Sequence, residues 1–178
     1  VVTESEGAVI KSLNWRPAAE VYRETVEPLL GARITEENFM QQAMAYPLGI
    51  VRLGGNHIVR DPIFMKGETL VCVGDVPLES HVDILHGSKA QLIEAARSAT
   101  ATAQSRFPKE SEAFGAFIID CISRWLYLGE DFSRELEAVQ IENIPMFGVL
   151  TLGEIANKHD EFLEFHNKTT VIGIVGKA

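Results

Sequence analysis

The pattern of hydrophobic positions is clearest at residues 113–124, where the chain runs AFGAFIIDCISR. Its apolar part is short and is followed at once by polar residues, which is typical of a strand buried on both faces. The edge of a rigid strand commonly carries a functional site. We therefore expect a central strand here, with side chains at its C-terminal end that can hold a ligand or do chemistry: Asp120, Cys121, Ser123 and Arg124.

Helical spacing of apolar residues predicts about three or four packed helices. One begins after Pro17, a second at Thr35, and the last at about Glu130. The longest begins at Ser88, which forms a capping box with Gln91. Its buried stripe is rich in alanine, so we expect it to pack closely on a sheet.

Short apolar or alternating runs separated by turn residues predict about seven or eight strands. They lie at residues 7–13, 48–53, 57–63, 69–73, 81–85, 113–121, 146–155 and 169–175. The glycines and asparagine at residues 54–56 predict a hairpin. Short strands joined by tight turns favour antiparallel pairing. Because strands and helices do not alternate strictly, we predict a single α+β domain over residues 1–178 with a largely antiparallel sheet.

Charge and composition narrow the possible functions. The net charge of −9 and the lack of a Lys/Arg cluster argue against nucleic acid and anionic membrane surfaces as partners. No apolar run reaches the ~18 residues that a membrane-spanning helix needs, so no membrane insertion is expected. The chain has 2 cysteines, which favours a reducing, cytoplasmic environment. Because the chain begins at Val1 rather than Met, we expect it to be a fragment of a longer protein.

Several phrases taken together resemble the C-terminal domain of the FIST family. They are VVTESEGAVI with RPAAEVYRE, YPLGI with IVRDPI, AFGAFIIDCISR with Gly129 close behind, IPMFGVLTLGEI, and FHNKTTVI. Each phrase is weak alone, but together they occur in the right order and cover the chain nearly from end to end. On this resemblance the chain is identified as a FIST C-terminal sensory domain.

The resemblance implies a sensory domain of a prokaryotic signal transduction protein that binds small ligands such as amino acids. Such domains accompany a FIST N-terminal domain and a signalling output domain, for example a histidine kinase, a chemotaxis domain or a cyclic-dinucleotide enzyme. The expected partners are therefore a small-molecule ligand, the FIST N-terminal domain and the output domain. The domain itself is not expected to be an enzyme or to carry a cofactor.

Arg124 and Glu154 are the leading candidates for ligand contacts. A guanidinium can hold a carboxylate with two hydrogen bonds, and a carboxylate can accept an ammonium group. The two side chains together would match the zwitterion of an amino acid. The alternative is structural, because a buried arginine and a buried glutamate can instead pair with each other or with their neighbours.

Four more residues in the family-like phrases are candidate ligand contacts: Cys121, Gly153, His166 and Asn167. Each also has a structural alternative. A free cysteine is commonly buried as a small hydrophobe, and an asparagine commonly stabilises a turn. The histidines are not at a spacing that holds a metal ion, so no metal site is expected.

The sequence leaves two other functions open. Cys121 and His166 are the minimum set for the nucleophile and base of a thiol hydrolase or amidase. Arg124 is the one cation near Cys121 in sequence, and an arginine cannot act as a base. The third possibility is a purely structural interaction domain that docks on the FIST N-terminal half through an apolar patch.

Overall fold

The computed structural model describes residues 1–157 and 162–177. The contacts among these residues divide the chain into two compact units. Unit 1 comprises Val1–His86 and Phe165–Asn167, and unit 2 comprises the described residues of Gly87–Glu164 and Lys168–Ala178. Each unit combines helices with β-strands, and antiparallel pairs predominate among the described strands, so the predicted α+β class is confirmed.

The elements follow in chain order. Residues 1–86 form β1 (Val2–Glu6), β2 (Val9–Leu13), β3 (Arg16–Pro17), α1 (Ala18–Leu30), α2 (Phe39–Ala43), β4 (Leu48–Val51), β5 (His57–Arg60), β6 (Pro62–Lys66), β7 (Thr69–Cys72) and β8 (Val82–Ile84). Residues 87–177 form α3 (Lys89–Arg106), β9 (Glu112–Cys121), α4 (Ile122–Leu128), a 3₁₀ turn (Gly129–Asp131), α5 (Phe132–Val139), β10 (Met146–Thr151), β11 (Glu154–Ala156), β12 (Glu164–His166) and β13 (Thr170–Lys177). Most strands of residues 1–86 are shorter than predicted, whereas β9 and β13 are each one residue longer than predicted.

The strand predicted at residues 7–13 is the second half of a hairpin. Gly7 has a φ of 55° and turns the chain between β1 and β2, which pair antiparallel. β1 was not predicted because its sequence is polar apart from Val2, its one fully buried residue. β2 then pairs with β7, and β7 pairs with β6, both antiparallel.

The hairpin predicted around residues 54–56 is confirmed. β4 and β5 pair antiparallel, with Leu48 opposite Arg60 and Val51 opposite His57. The second strand does not continue to residue 63 as predicted. The chain leaves the hairpin at Asp61, and β6 pairs instead with β7 in another sheet.

The core of unit 1 is built around two aromatic residues on its helices. Tyr22 of α1 and Phe39 of α2 are fully buried, and their ring centroids are 5.4 Å apart. The hydroxyl of Tyr22 donates a 2.8 Å hydrogen bond to the carbonyl oxygen of Tyr46. The phenol therefore brings no unpaired polar group into the core.

β9 is the central strand of its sheet in unit 2, as predicted. It lies between β10 and β13. β13 runs antiparallel to β9, but β10 runs parallel to it, an exception to the predicted antiparallel pairing. A parallel pair needs a long connection, which here contains α4 and α5. Helix α3 begins with the predicted capping box of Ser88 and Gln91, and Ala96 of α3 shares a buried cluster with Ile118 of β9 and Val139 of α5.

The helix predicted from about Glu130 is confirmed as a 3₁₀ turn that leads into α5. A further helix that was not predicted, α4, follows β9 without a loop and ends at Leu128. Gly129, whose φ is 58°, caps it. Arg124 consequently lies on a helix directly after the central strand, and its side chain is buried.

Replacing Gly148 by alanine is expected to lower the free energy of unfolding by about 1–3 kcal/mol. Gly148 of β10 lies opposite Ile118 of β9. A Cβ on Gly148 would lie 2.1 Å from the Cγ2 atom of Ile118 and 2.7 Å from its carbonyl oxygen. Because the second contact is to backbone, side-chain rotation cannot relieve it. Urea denaturation measures the change.

The matched control for Gly148→Ala is Gly115→Ala on the neighbouring strand. A Cβ on Gly115 would lie 3.1 Å from its nearest neighbour, the Cγ2 atom of Val175. A side chain at that distance needs to move only slightly, so the control should cost less stability. Equal losses in the two variants would contradict the proposed clash.

Candidate functional site

Every guanidinium nitrogen of Arg124 has a protein partner. The Nε atom donates to Oε1 of Glu135 at 2.8 Å, and Nη2 donates to the same oxygen. Nη2 also donates to the carbonyl oxygen of Leu92 at 2.9 Å, and Nη1 to that of Lys168 at 3.2 Å. The fork that the sequence suggested for a ligand carboxylate is thus engaged inside unit 2. This is the structural alternative, with neighbours other than Glu154 as the partners.

Two buried acids share the charge of Arg124. Oδ1 of Asp120 lies 3.2 Å from Nε of Arg124, and Glu135 is fully buried. The hydroxyl of Thr170 lies 2.7 Å from Oδ1 of Asp120 and 3.3 Å from Oε1 of Glu135. Oδ2 of Asp120 and Oε2 of Glu135 are buried and have no hydrogen-bond partner among the described residues. We call these four side chains the acid–arginine cluster.

The electrostatics of the acid–arginine cluster favour an added cation. Burial raises the pKa of Asp120 to about 6, and the charge of Glu135 adds to the rise. The hydrogen bond from Thr170 and the charge of Arg124 act in the opposite direction. With both acids ionised, two negative charges face one positive charge. A ligand that brings a positive group would balance them.

Glu154 lies at the start of β11, directly after Gly153, and is buried. Its Oε1 atom accepts a 2.7 Å hydrogen bond from the hydroxyl of Thr151, and its Oε2 atom accepts from the backbone N–H of Thr169 at 3.3 Å. Burial nevertheless raises its pKa to about 7. Glu154 is therefore a buried acid that changes charge near neutral pH.

Cys121 is buried at the end of β9 and has the environment of a structural cysteine. Its Sγ atom lies 3.2 Å from the hydroxyl oxygen of Ser123. Burial raises the pKa of the thiol, and the nearby Glu154 carboxylate adds to the rise. A nucleophilic cysteine needs the opposite, a lowered pKa. The structure therefore gives no support to the thiol hydrolase hypothesis.

His166 and Asn167 belong to unit 1, whereas the other four predicted residues belong to unit 2. Asn167 is fully buried, and its Oδ1 atom accepts a 3.3 Å hydrogen bond from the N–H of Asp61. The adjacent Arg60 donates to the carbonyl oxygen of Phe165 at 2.9 Å and lies over the ring of Phe165. These contacts join residues 165–167 to the IVRDPI phrase, so both family-like segments have a structural role.

Unit 2 contains an open cleft of about 490 Å³ that is bounded by α5, β9 and β10. Its lining includes Ile118 and Asp120 of β9, Phe132 and Leu136 of α5, and residues 146–150 of β10. Ile118 and Asp120 are two residues apart on the strand and therefore lie on the same face. Most of the lining is apolar. Asp120 is the one charged residue among the described lining residues, and Gln140 adds an amide.

The pairing of Asp120 and Glu135 with Arg124 was not predicted. A spacing of four residues signals an ion pair only within one helix, whereas Asp120 lies at the end of β9 and Arg124 on α4. Glu135 gave no such signal, because it lies between apolar positions of α5 and eleven residues beyond Arg124. Its burial depends on how α5 packs.

No group of three or more His, Cys, Asp and Glu side chains within residues 1–157 and 162–177 could hold a metal ion. In the same part of the chain, no helix combines the length and the apolar character needed to cross a membrane.

Comparison with known proteins identifies a family. A family model described as the FIST C domain matches residues 18–157, which is 140 of the 178 residues. No curated protein and no solved structure matches the chain.

Proposed function

Because the chain belongs to the FIST C domain family of sensory domains, we propose that it senses a small molecule in the cleft of unit 2. In this proposal it acts in the cytoplasm as part of a prokaryotic signalling protein, beside a FIST N-terminal domain. Ligand binding would regulate a linked or partner output domain such as a histidine kinase or a chemotaxis domain.

The observation that carries the proposal is the cleft itself. Its volume of about 490 Å³ lies within the range of roughly 300–1,000 Å³ that is typical of small-molecule sites. Such sites combine a mainly apolar lining with a few convergent polar groups. Asp120 supplies a polar group with a raised pKa, a feature that is common at functional sites.

The six residues suggested by the sequence have different places in this proposal. Arg124 positions Asp120 through their ion pair rather than meeting the ligand with a free fork. None of the other five is among the described residues that line the cleft, so direct ligand contacts by them stay predictions apart from this site: Cys121, Gly153, Glu154, His166 and Asn167. An amino acid is one ligand class consistent with the family resemblance.

A thermal-shift screen of amino acids, amines and related metabolites tests the proposal on the whole protein. A ligand at 100 times its Kd should stabilise the protein by about 2.7 kcal/mol. Leu136→Trp, which fills the cleft from α5, should abolish this shift. Leu126→Trp on α4 is the matched control, because Leu126 is 42% exposed, close to the 40% of Leu136, and does not line the cleft. A ligand that stabilises both variants equally would place its site elsewhere.

A second candidate function, docking on a FIST N-terminal domain, is supported by exposed apolar residues. β10 lies at the edge of its sheet in unit 2. Phe147 of β10 is 71% exposed and Ile155 of β11 is 70% exposed. An exposed apolar edge strand is a common site for pairing with another chain.

Replacing Phe147 by aspartate is expected to weaken docking of a FIST N-terminal domain by at least about tenfold, because it places a charge in an apolar interface. Calorimetric titration of the two domains measures the affinity. Leu53→Asp is the control, since Leu53 is fully exposed in unit 1. Unchanged affinity of the Phe147 variant would remove β10 from the interface.

A further inference from the structure

We infer that the cleft takes an amine without a carboxylate, in which an ammonium group meets Asp120 and an apolar body lies along α5 and β10. This inference rests on the function proposed above and specifies its ligand. It departs from the zwitterionic ligand that Arg124 and Glu154 suggested in the sequence.

The first support is the bonding of Asp120. Oδ1 is engaged by the hydroxyl of Thr170 at 2.7 Å and lies 3.2 Å from Nε of Arg124. Oδ2 is buried and has no hydrogen-bond partner within the described residues. An unpaired buried carboxylate oxygen is unfavourable. Asp120 lines the cleft, so an N–H donor bound there can supply the missing hydrogen bond once the side chain turns its buried Oδ2 atom toward the donor.

The second support is the charge balance of the acid–arginine cluster. Asp120 and Glu135 face a single guanidinium, and the donors of Arg124 are occupied by Glu135 and two carbonyl oxygens. The other nearby cation, the Nζ atom of Lys168, lies 5.8 Å from the ring centroid of Tyr127. An ammonium group beside Asp120 would bring the cluster to neutrality. A neutral hydroxyl would donate a hydrogen bond to Oδ2 of Asp120 but would leave the net negative charge of the cluster.

The third support is the lining, which has no place for an anion. The described residues that bound the cleft include no lysine, arginine or histidine, and Asp120 is their one charge. A ligand carboxylate would therefore lose its hydration without gaining a cation, and it would face Asp120. Phe132, Met146 and Phe147 offer apolar surface to a hydrocarbon or aromatic body instead.

Matched ligand pairs test the inference on the unaltered protein. Phenethylamine is compared with phenylalanine, and isopentylamine with leucine, by calorimetric titration at pH 7.5, so that each pair differs only in the carboxylate. 2-Phenylethanol replaces the ammonium group by a neutral donor. Each amine is expected to bind at least about tenfold more tightly than its amino acid and than the alcohol.

The variant Asp120→Asn is then expected to weaken amine binding by at least about tenfold and to remove the preference for the amine. Asp131→Asn is the matched control, since Asp131 lies outside the cleft lining and pairs with Arg134 and Lys89. Circular dichroism and melting curves check that each variant is folded. If Asp120→Asn does not fold, the comparison of amine, amino acid and alcohol on the unaltered protein decides the question alone.

The outcomes separate this inference from the proposed function. If an amino acid binds as tightly as its amine and Leu136→Trp abolishes both, the cleft is a ligand site and the amine inference is overturned. If Asp120→Asn is folded and binds amines like the unaltered protein, the inference is also overturned. If the ligands bind equally to Leu136→Trp and the unaltered protein, the proposed cleft site fails first.

Discussion

Replacement of Arg124 by methionine is expected to lower the free energy of unfolding by about 3–5 kcal/mol. Methionine keeps much of the side-chain volume but removes the cation that pairs with Asp120 and Glu135. Both acids are buried, so neither can recover its interaction with water. Removing one partner of a buried ion pair is costly because the remaining charge stays uncompensated.

Urea denaturation at neutral pH measures the loss in the free energy of unfolding. In a thermal melt, the same loss should lower Tm by roughly 10 °C in a chain of this size. Arg134→Met is the matched control, because the Arg134 side chain is 65% exposed and pairs with Asp131 at the surface. Exposed ion pairs contribute at most about 1 kcal/mol. A loss for Arg124→Met no larger than for this control would mean that the buried cluster does not depend on the arginine.

The double variant Arg124→Met with Glu135→Met tests the physical reason. It removes one charge of each sign and replaces both by apolar side chains of similar volume. Replacement of a whole buried ion pair is often nearly neutral. The double variant should therefore be more stable than Arg124→Met alone, although Glu135→Met removes a further set of hydrogen bonds. Additive losses would contradict the pairing seen in the structure.

The parts of the fold that could be predicted are those in which local pattern and final structure agree. β9 combines an apolar run with a polar boundary, and α3 begins with a capping box. The hairpin at residues 54–56 follows from residues that tolerate positive φ, as Gly54 and Gly55 do. Local physics alone determines these elements, so one sequence suffices to identify them.

The parts that could not be predicted depend on tertiary packing. α4 has no side-chain cap, and its apolar and aromatic residues gave no clear start after β9. The parallel pairing of β10 with β9 depends on the path of α4 and α5 between them. The burial of Glu135 depends on the same packing.

The candidate site shows the same limit. The sequence located polar residues at the end of β9 correctly. It left open whether Arg124 meets a ligand together with Glu154 or pairs with Glu154 or with other neighbours, and the structure pairs Arg124 with Asp120 and Glu135. Residue type identified which side chains need a partner. Only the packing of α5 on the sheet decides which partner each one has.

Glu154→Gln is expected to remove a pH dependence of stability that we assign to the buried acid. The pKa of Glu154 is about 7 in the folded protein, against an ordinary glutamate pKa of 4.5. Between these two values the folded state therefore binds more protons than the unfolded state. The free energy of unfolding must fall as the pH rises through this window. Glutamine does not titrate, so the variant lacks this contribution.

The size of the change in the free energy of unfolding follows from the rise in the pKa of Glu154. One pKa unit corresponds to about 1.36 kcal/mol, and an allowance for solvent screening leaves roughly 2 kcal/mol between pH 5 and pH 8. The measured quantity is the stability of Glu154→Gln minus that of the unaltered protein, from urea denaturation at each pH. It should rise by that amount over the window, even if the variant is less stable at pH 5 because glutamine loses the hydrogen bond from Thr151 or Thr169.

The pH series also separates Glu154 from Asp120, the other buried acid with a raised pKa. The contribution of Asp120 falls between the ordinary aspartate pKa of 3.8 and a folded value of about 6, so it is almost complete by pH 7. The part of the difference that is gained between pH 6 and pH 7 therefore belongs mainly to Glu154. Glu142→Gln, at an exposed position, is the control and should leave the pH dependence unchanged. If the difference between Glu154→Gln and the unaltered protein stays constant across the window, Glu154 is ionised throughout, and the hydrogen bonds from Thr151 and Thr169 outweigh its burial.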